Sequence, residues 1–395
     1  MNARVTAIFY QAASFLAQLL LVAWVARLLG PVDQGEYALA RAGVLYVEAV
    51  GFGWLTGGFI YRVARSPRSQ LGPAFAWGGM LVILSVGIAV GVWITFGHGV
   101  IVASAAWLAA TAAQQSAYKL VMAVGRPMMA NSSLAITSIL ALAAVIIGVD
   151  LDVAGILAIH ALTSLLGFIV LLLAIRADLG RSRPMALRLA DAANFVRTGS
   201  KGILSAVFYM AMYRLDLLWI ELFLGRATVG VYSLAAFTAE MLHKVPEWLA
   251  TLIGPRFAAR EPAANDAWRR SFRYGMIATA VGAGALLILF WGLPGRLTEG
   301  FLGPGYEGLG FLVSLLIPKA FLQGLLLLLA ARLAGAGYTW WHPGAGAAGL
   351  MVLMVLGPLL AWWFGAPGAT IALTAATAVS VLVLRQGVRA LRLVA

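Results

Sequence analysis

Runs of about twenty apolar residues, separated by short polar breaks, recur along almost the whole chain, and each is long enough to cross a bilayer as a helix. The pattern predicts helical spans near 5–26, 37–60, 73–96, 99–122, 128–149, 153–175, 201–224, 228–252, 272–292, 308–330, 344–364 and 366–388. The fold class expected is an all-α polytopic membrane protein with about twelve spans, because backbone groups in hydrocarbon must be satisfied within the segment. No window remains for a soluble catalytic domain.

Composition turns that pattern into a statement about solvent. Of 395 residues, 62% are hydrophobic and 11% charged, and the mean hydropathy is +0.92, so the chain needs lipid around it. The net charge of +13 would point to nucleic acid in a soluble protein, but the cations fall on alternate loops. Arg4, then Arg62, Arg65 and Arg68, then Lys119 and Arg126, then Arg176, Arg181, Arg183, Arg188 and Arg197 occupy the N-terminus and the loops after even-numbered spans. Arg256, Arg260, Arg269, Arg270 and Arg273, then Arg332, then Arg385, Arg389 and Arg392 continue the series. The intervening loops carry Asp33 and Glu36, Asp150 and Asp152, or Glu299 and Glu307. The positive-inside rule then places both termini in the cytoplasm, and nucleic acid is not an expected partner. With no cysteine, disulfides and thiolate metal sites are excluded. The first span is too long for a signal peptide and lacks a small-residue cleavage site, so it is expected to stay.

An internal repeat organises the spans. Leu29-Gly30-x4-Gly35-x-Tyr37-x-Leu39-Ala40 after the first span matches Leu224-Gly225-x4-Gly230-x-Tyr232-x-Leu234-Ala235 after the seventh, six identities at one offset of 195. A second echo pairs Gly125 with Gly337, and Ala154-Gly155 with Pro367-Gly368-Ala369. The chain is therefore read as two six-helix bundles, 1–199 and 200–395, the first ending in a basic cytoplasmic linker, 176–200, that contains Pro184. Six being even, both halves insert in the same orientation, and sites in such transporters lie at the repeat interface. Gly51, Gly53, Gly57 and Gly58, and Gly344, Gly346 and Gly349, read as close helix packing, and Trp340-Trp341 and Trp362-Trp363 as interface anchors.

An ionisable side chain inside a span costs roughly 2.5–3.5 kcal/mol on insertion scales, so each needs a partner, a wet cavity or a purpose. The second span holds Arg41 and Glu48 on one helical face, and the seventh holds Arg214, Asp216 and Glu221. In the eighth, Glu240, His243, Lys244 and Glu247 follow steps of three and four and form one polar stripe beside Pro246. Two readings stay open for that stripe: intrahelical pairs that neutralise each other, or a cavity where Arg and Lys meet phosphate and a carboxylate couples to protons or Na⁺. Arg27 reads either as a snorkelling end residue or a headgroup contact, Lys319 after Pro318 as a helix-packing salt bridge or a site residue, and His160 as a polar helix contact. No phosphate loop of the Gly-x4-Gly-Lys-Ser/Thr type occurs, and His98, His160, His243 and His342 have no metal-ligand spacing, so neither cofactor nor metal is expected. The longest outer stretch, near 293–307, is too short for a glycosyltransferase site.

The turn motifs carry a family resemblance. Arg27-Leu-Leu-Gly-Pro31 running into Gly35-Glu-Tyr37-Ala-Leu-Ala40 resembles the first loop of the polysaccharide-transporter and O-antigen flippase family, within the multidrug/oligosaccharidyl-lipid/polysaccharide (MOP) exporter superfamily. Tyr213-Arg-Leu-Asp216, Leu224-Gly225, Val229-Gly-Val-Tyr232-Ser-Leu-Ala235, Pro246 and Pro255-Arg-Phe257 follow the family's order. Leu302-Gly-Pro-Gly-Tyr306 and Phe364-Gly-Ala-Pro-Gly-Ala-Thr370 resemble two of its later turns, whereas Tyr338-Thr-Trp-Trp341 stands where a small basic turn is more usual.

The resemblance implies a multidrug-exporter-like (MATE-like) pair of bundles around a cavity open alternately to either side. It also implies a polyprenyl-pyrophosphate-linked oligosaccharide as substrate, in polysaccharide or lipopolysaccharide biosynthesis at the bacterial inner membrane. On that basis Arg27, Arg41, Arg214 and Lys244 are expected to contact the headgroup, and Glu48, Asp216, Glu240, His243 and Glu247 to serve ion coupling or line the cavity. Partners expected are membrane lipids and polysaccharide polymerase or assembly proteins, with the chain acting as a monomer. A cation-coupled multidrug exporter, a membrane-embedded glycosyltransferase or ligase, and a non-transporting scaffold remain the alternatives.

Overall fold

A computed structural model describes residues 3–96, 99–148, 150–182, 187–258, 263–292, 300 and 302–394. His98, Arg183, Pro184, Arg260, Glu299 and most of the stretch 293–307 lie outside the described residues, as do the side chains of Arg4, Pro255, Arg256 and Arg392. Among the described residues every regular element is helical. The helices are α1 (Ala3–Val47), α2 (Gly53–Arg65), α3 (Pro67–Phe96), α4 (Gly99–Ala123), α5 (Pro127–Ile147), α6 (Val153–Leu179), α7 (Leu189–Met212), α8 (Leu215–Leu224), α9 (Arg226–Glu240), α10 (Lys244–Ala258), α11 (Ala264–Leu287), α12 (Leu309–Gly335) and α13 (Trp341–Val394).

Two of these are hairpins. Within α13, Gly365 has φ +65°, and beyond it the chain folds back: the Ser380 hydroxyl donates to the Ala345 carbonyl at 2.8 Å, and Trp341 packs against Gly387. Within α1, Gly30 at φ +68° breaks the helix before Pro31, the position where a missing N–H costs least. By length and hydropathy eight windows are long and apolar enough to span a membrane, and the two hairpins, Phe9–Phe52 and Trp341–Ala390, each have the length of two crossings. The predicted spans 99–122 and 228–252 are not among the eight. The first is α4, rich in Ala and carrying Gln114, Gln115 and Lys119; the second is broken into α9, a 3-10 turn at Met241–His243, and α10.

The chain forms two compact units, one of residues 1–29 and 39–203, the other of residues 30–38 and 204–395. In the first unit α4 packs on α6 and α3 through a stripe of small buried residues, among them Ala105, Ala109, Ala112 and Ala113. Without a hydrophobic force between helices in lipid, such residues let backbones approach and gain dispersion contact. Gly58 sits against the Phe195 backbone, and the Phe59 and Phe195 rings meet edge to face at 5.1 Å. In the second unit α12 is the central helix, packed by α9, α10, α11 and α13.

The repeated sequence has repeated geometry. Gly30 (φ 68°, ψ 175°) and Gly225 (φ 82°, ψ 170°) share one backbone conformation, and Tyr37 and Tyr232 are both buried. The second echo is as close. Arg126 N donates to Val121 O at 3.1 Å and Gly125 N to Met122 O at 3.1 Å; Tyr338 N donates to Leu333 O at 2.9 Å and Gly337 N to Ala334 O at 3.0 Å. Both are helix ends closed by a left-handed glycine with crossed bonds to the last turn.

Candidate functional site

The ionisable residues inside the helices gather into one cluster in the second unit and stand in separate settings in the first. In the second unit the chain breaks at Tyr213-Arg214 between α7 and α8, which frees backbone and brings Asp216 into the first turn of α8. Asp216 is 2% exposed, and its carboxylate accepts from the Leu217 amide at 2.8 Å and the Tyr232 hydroxyl at 2.6 Å. A negative group at a helix start also meets the positive end of the helix dipole. Arg214 pairs with Glu240, the last residue of α9, at 3.9 Å. Lys319, on α12 directly after Pro318, is 3% exposed, lies 4.8 Å from the centre of the Tyr213 ring, and feels the charges of Glu240 and Asp216. The Tyr213 hydroxyl in turn donates to the Gln323 side chain. Two cations and two carboxylates, contributed by α8, α9, α12 and the α7–α8 break, thus balance in one cluster, with Asp216 and Lys319 buried and Arg214 and Glu240 part-exposed.

The stripe of the eighth predicted span is divided by its own backbone. The 3-10 turn at Met241–His243 rotates the positions that a continuous helix would align. Glu240 and His243 face the buried side, His243 at 7% exposure with Nδ1 making no hydrogen bond among the described residues. Lys244 and Glu247 instead pair with each other at 2.8 Å, half-exposed. Among the described residues Glu240 thus forms an ion pair with Arg214, and Lys244 one with Glu247. Glu221 joins Arg226 at 3.1 Å, and Arg226 also reaches Glu36 at 3.7 Å.

In the first unit α1 runs into a π-helical segment, Glu48–Phe52, whose extra residue per turn re-aims the side chains. Glu48 there interacts with Lys119 of α4, whose Nζ also donates to Thr56 Oγ1 at 2.7 Å. Arg41, seven residues earlier, lines a polar cavity of about 180 Å³ with Gln18, Thr111, Gln114, Thr137, Ser138 and His160, and His160 stacks on Trp107 at 4.7 Å. Arg27 is exposed over the Trp24 ring at 5.7 Å.

The nine site residues expected from sequence are thus distributed. Arg214, Asp216, Glu240 and His243 come together; Lys244 and Glu247 form a neighbouring pair; Arg41, Glu48 and Arg27 belong to the first unit in three separate settings. Sequence alone did not mark Tyr213, Gln323, Lys119 or the polar lining around Arg41 as site residues, and it left Lys319 open between a helix-packing salt bridge and a site residue. Lys319 carried a usable signal, a lysine beside a proline inside an apolar run; the tyrosines and glutamines, being neutral, carried none. Among the described residues no cluster of His, Asp and Glu is arranged to hold a metal ion.

The fold is similar to that of solved membrane transporters of the MOP superfamily. No family model matches the chain, and no curated protein matches it. Solved structures do. A multidrug-resistance MATE family transporter of the MOP superfamily in its inward-facing conformation is similar over 98% of this chain and 99% of its own, with a TM-score of 0.68 and 16% identity. The lipid II flippase MurJ, in an inward closed conformation, is similar over 98% of this chain and 87% of its own, with a TM-score of 0.75 and 10% identity. A MOP transporter from Pyrococcus furiosus described as having a binding pocket of reversed polarity is similar over 99% and 97%, with a TM-score of 0.61 and 14% identity. At these identities the likeness establishes the fold. All three are described as transporters or a flippase, none as an enzyme.

Proposed function

We infer that this chain is a membrane transporter, not an enzyme, and that it flips a polyprenyl-pyrophosphate-linked oligosaccharide or polysaccharide precursor by alternating access in the bacterial inner membrane. The observation that carries the reading is the cluster of Arg214, Asp216, Glu240 and Lys319 beside a broken helix, in a fold shared with MATE transporters and a lipid II flippase. Intramembrane charges and discontinuous helices are expensive, and transporters keep them where substrate and coupling ions bind. In this reading Arg27, Arg214 and Lys244 meet the anionic headgroup as it passes, exchanging a carboxylate partner for phosphate, and Asp216, Glu240 and His243 respond by proton or ion uptake, with Glu48 and Glu247 lining the path.

Counting both hairpins twice and adding α4 and the α9–α10 segment gives about twelve crossings with cytoplasmic termini and two six-helix halves. The chain works as a monomer alongside polymerase or assembly proteins of a polysaccharide pathway.

The test is deletion of the gene in its host, extraction of lipids, and location of any polyprenyl-linked saccharide. Accumulation on the cytoplasmic face, rescued by wild type and not by membrane-inserted Asp216→Ala or Arg214→Ala, is the expected result. Normal saccharide lipids together with new sensitivity to cationic drugs would transfer the protein to the multidrug-exporter class.

A further inference from the structure

The cavity around Arg41 differs from the charge-balanced cluster of the second unit in sign. Its lining, drawn from α1, α4, α5 and α6 of the first unit, contains one guanidinium and no carboxylate. The remaining polar lining is the carboxamides of Gln18, Gln114 and Gln115, the His160 imidazole stacked on Trp107, and several hydroxyls. Thr111 is 7% exposed, and its Oγ1 makes no hydrogen bond among the described residues although it borders the cavity. Gln114 and Gln18 are held in place, the first by Thr137 Oγ1 at 3.5 Å, the second by Ser138 Oγ at 3.3 Å and Ser14 Oγ at 3.4 Å. Gly167 leaves the space that Gln114 and Thr137 fill.

We propose that this cavity is a binding site for a small inorganic anion, held by Arg41 with Thr111 and the Gln114 and Gln115 amides as donors. Size favours an ion over a headgroup: drug-sized ligands occupy about 300–1,000 Å³, whereas this cavity has about 180 Å³. Sign favours an anion over a cation, since a guanidinium stays protonated and repels Na⁺ across a low-dielectric site. A buried hydroxyl without a protein partner is the kind of donor that a bound ion satisfies. Occupation would link the state of the first unit to the anion outside.

The site is separate from the substrate reading, because its test needs no saccharide lipid. The full chain, purified in detergent, is melted in sodium chloride and in sodium gluconate at equal ionic strength, and chloride is titrated at fixed sodium. The expected result is a saturable rise in melting midpoint with chloride. It is absent in Arg41→Gln and needs about tenfold more chloride in Thr111→Val, the scale of losing one hydrogen bond to a charged group. Both variants should melt like wild type in gluconate. If Arg41→Gln does not fold, Thr111→Val alone carries the test. No saturable response in wild type, or an unshifted response in the variants, overturns the site.

Discussion

Gly35 and Gly230, 195 residues apart in the chain and matched in its repeat, stand back to back in the second unit. A Cβ on Gly35 would collide with the carbonyl oxygen of Arg226, and a Cβ on Gly230 with that of Pro31. Pro31 and Arg226 are themselves a repeat pair, so the contact is symmetric: each helix start lays its glycine on the other's first residue. An approach this close between backbones is open to glycine alone.

Alanine at either position should therefore push the two helix starts apart. The expected cost is about 1–3 kcal/mol or more for each of Gly35→Ala and Gly230→Ala, the range for overpacking. Melting in detergent checks it, with Gly43→Ala, which has open space around it, as the neutral control.

The cluster should show strong coupling. Removing one charge leaves the buried Lys319 less compensated, so Glu240→Gln should destabilise by about 1–3 kcal/mol, while adding Lys319→Met should recover part of that loss. A double-mutant cycle on melting midpoints reads the coupling, and strict additivity would contradict it.

Tyr232→Phe deletes a single donor to Asp216 without changing shape. It should cost about 1.5–3 kcal/mol, the worth of a hydrogen bond to a charged group, and should lower transport alongside Asp216→Asn. By contrast the Arg126–Asp178 pair, 37% and 28% exposed, should contribute under about 1 kcal/mol when broken by Arg126→Ala.

Because the chain has no cysteine, single cysteines report topology directly. Asp152→Cys should react with an impermeant maleimide in intact cells, and Ser66→Cys and Ser182→Cys only after the membrane is opened. The reverse pattern would invert the orientation.

Much of this was legible in the sequence. The apolar runs set the solvent and the element type, because a backbone in lipid has almost no alternative to a helix. The repeat at Gly30 and Gly225 was visible as six identities, and Arg214, Asp216, Glu240 and His243 stood out because a charge in an apolar run is costly enough to be rare. What one-dimensional spacing could not supply was pairing. Spacing put Glu240, His243, Lys244 and Glu247 on one stripe, yet a 3-10 turn of three residues interrupts that register, and Glu240 meets Arg214 from another helix end.

The sequence by itself thus determined an all-helical membrane protein, the glycine turns and the inventory of buried charge, since those follow from local backbone needs and from the cost of charge in hydrocarbon. Only the tertiary structure decided that Lys319 joins Asp216 and Glu240, that Gly35 meets Gly230, and that Arg41 lines a cavity without a carboxylate. Each of these depends on which helices are neighbours, and in lipid that choice is made by close packing and hydrogen bonding between helix faces, to which hydropathy is blind.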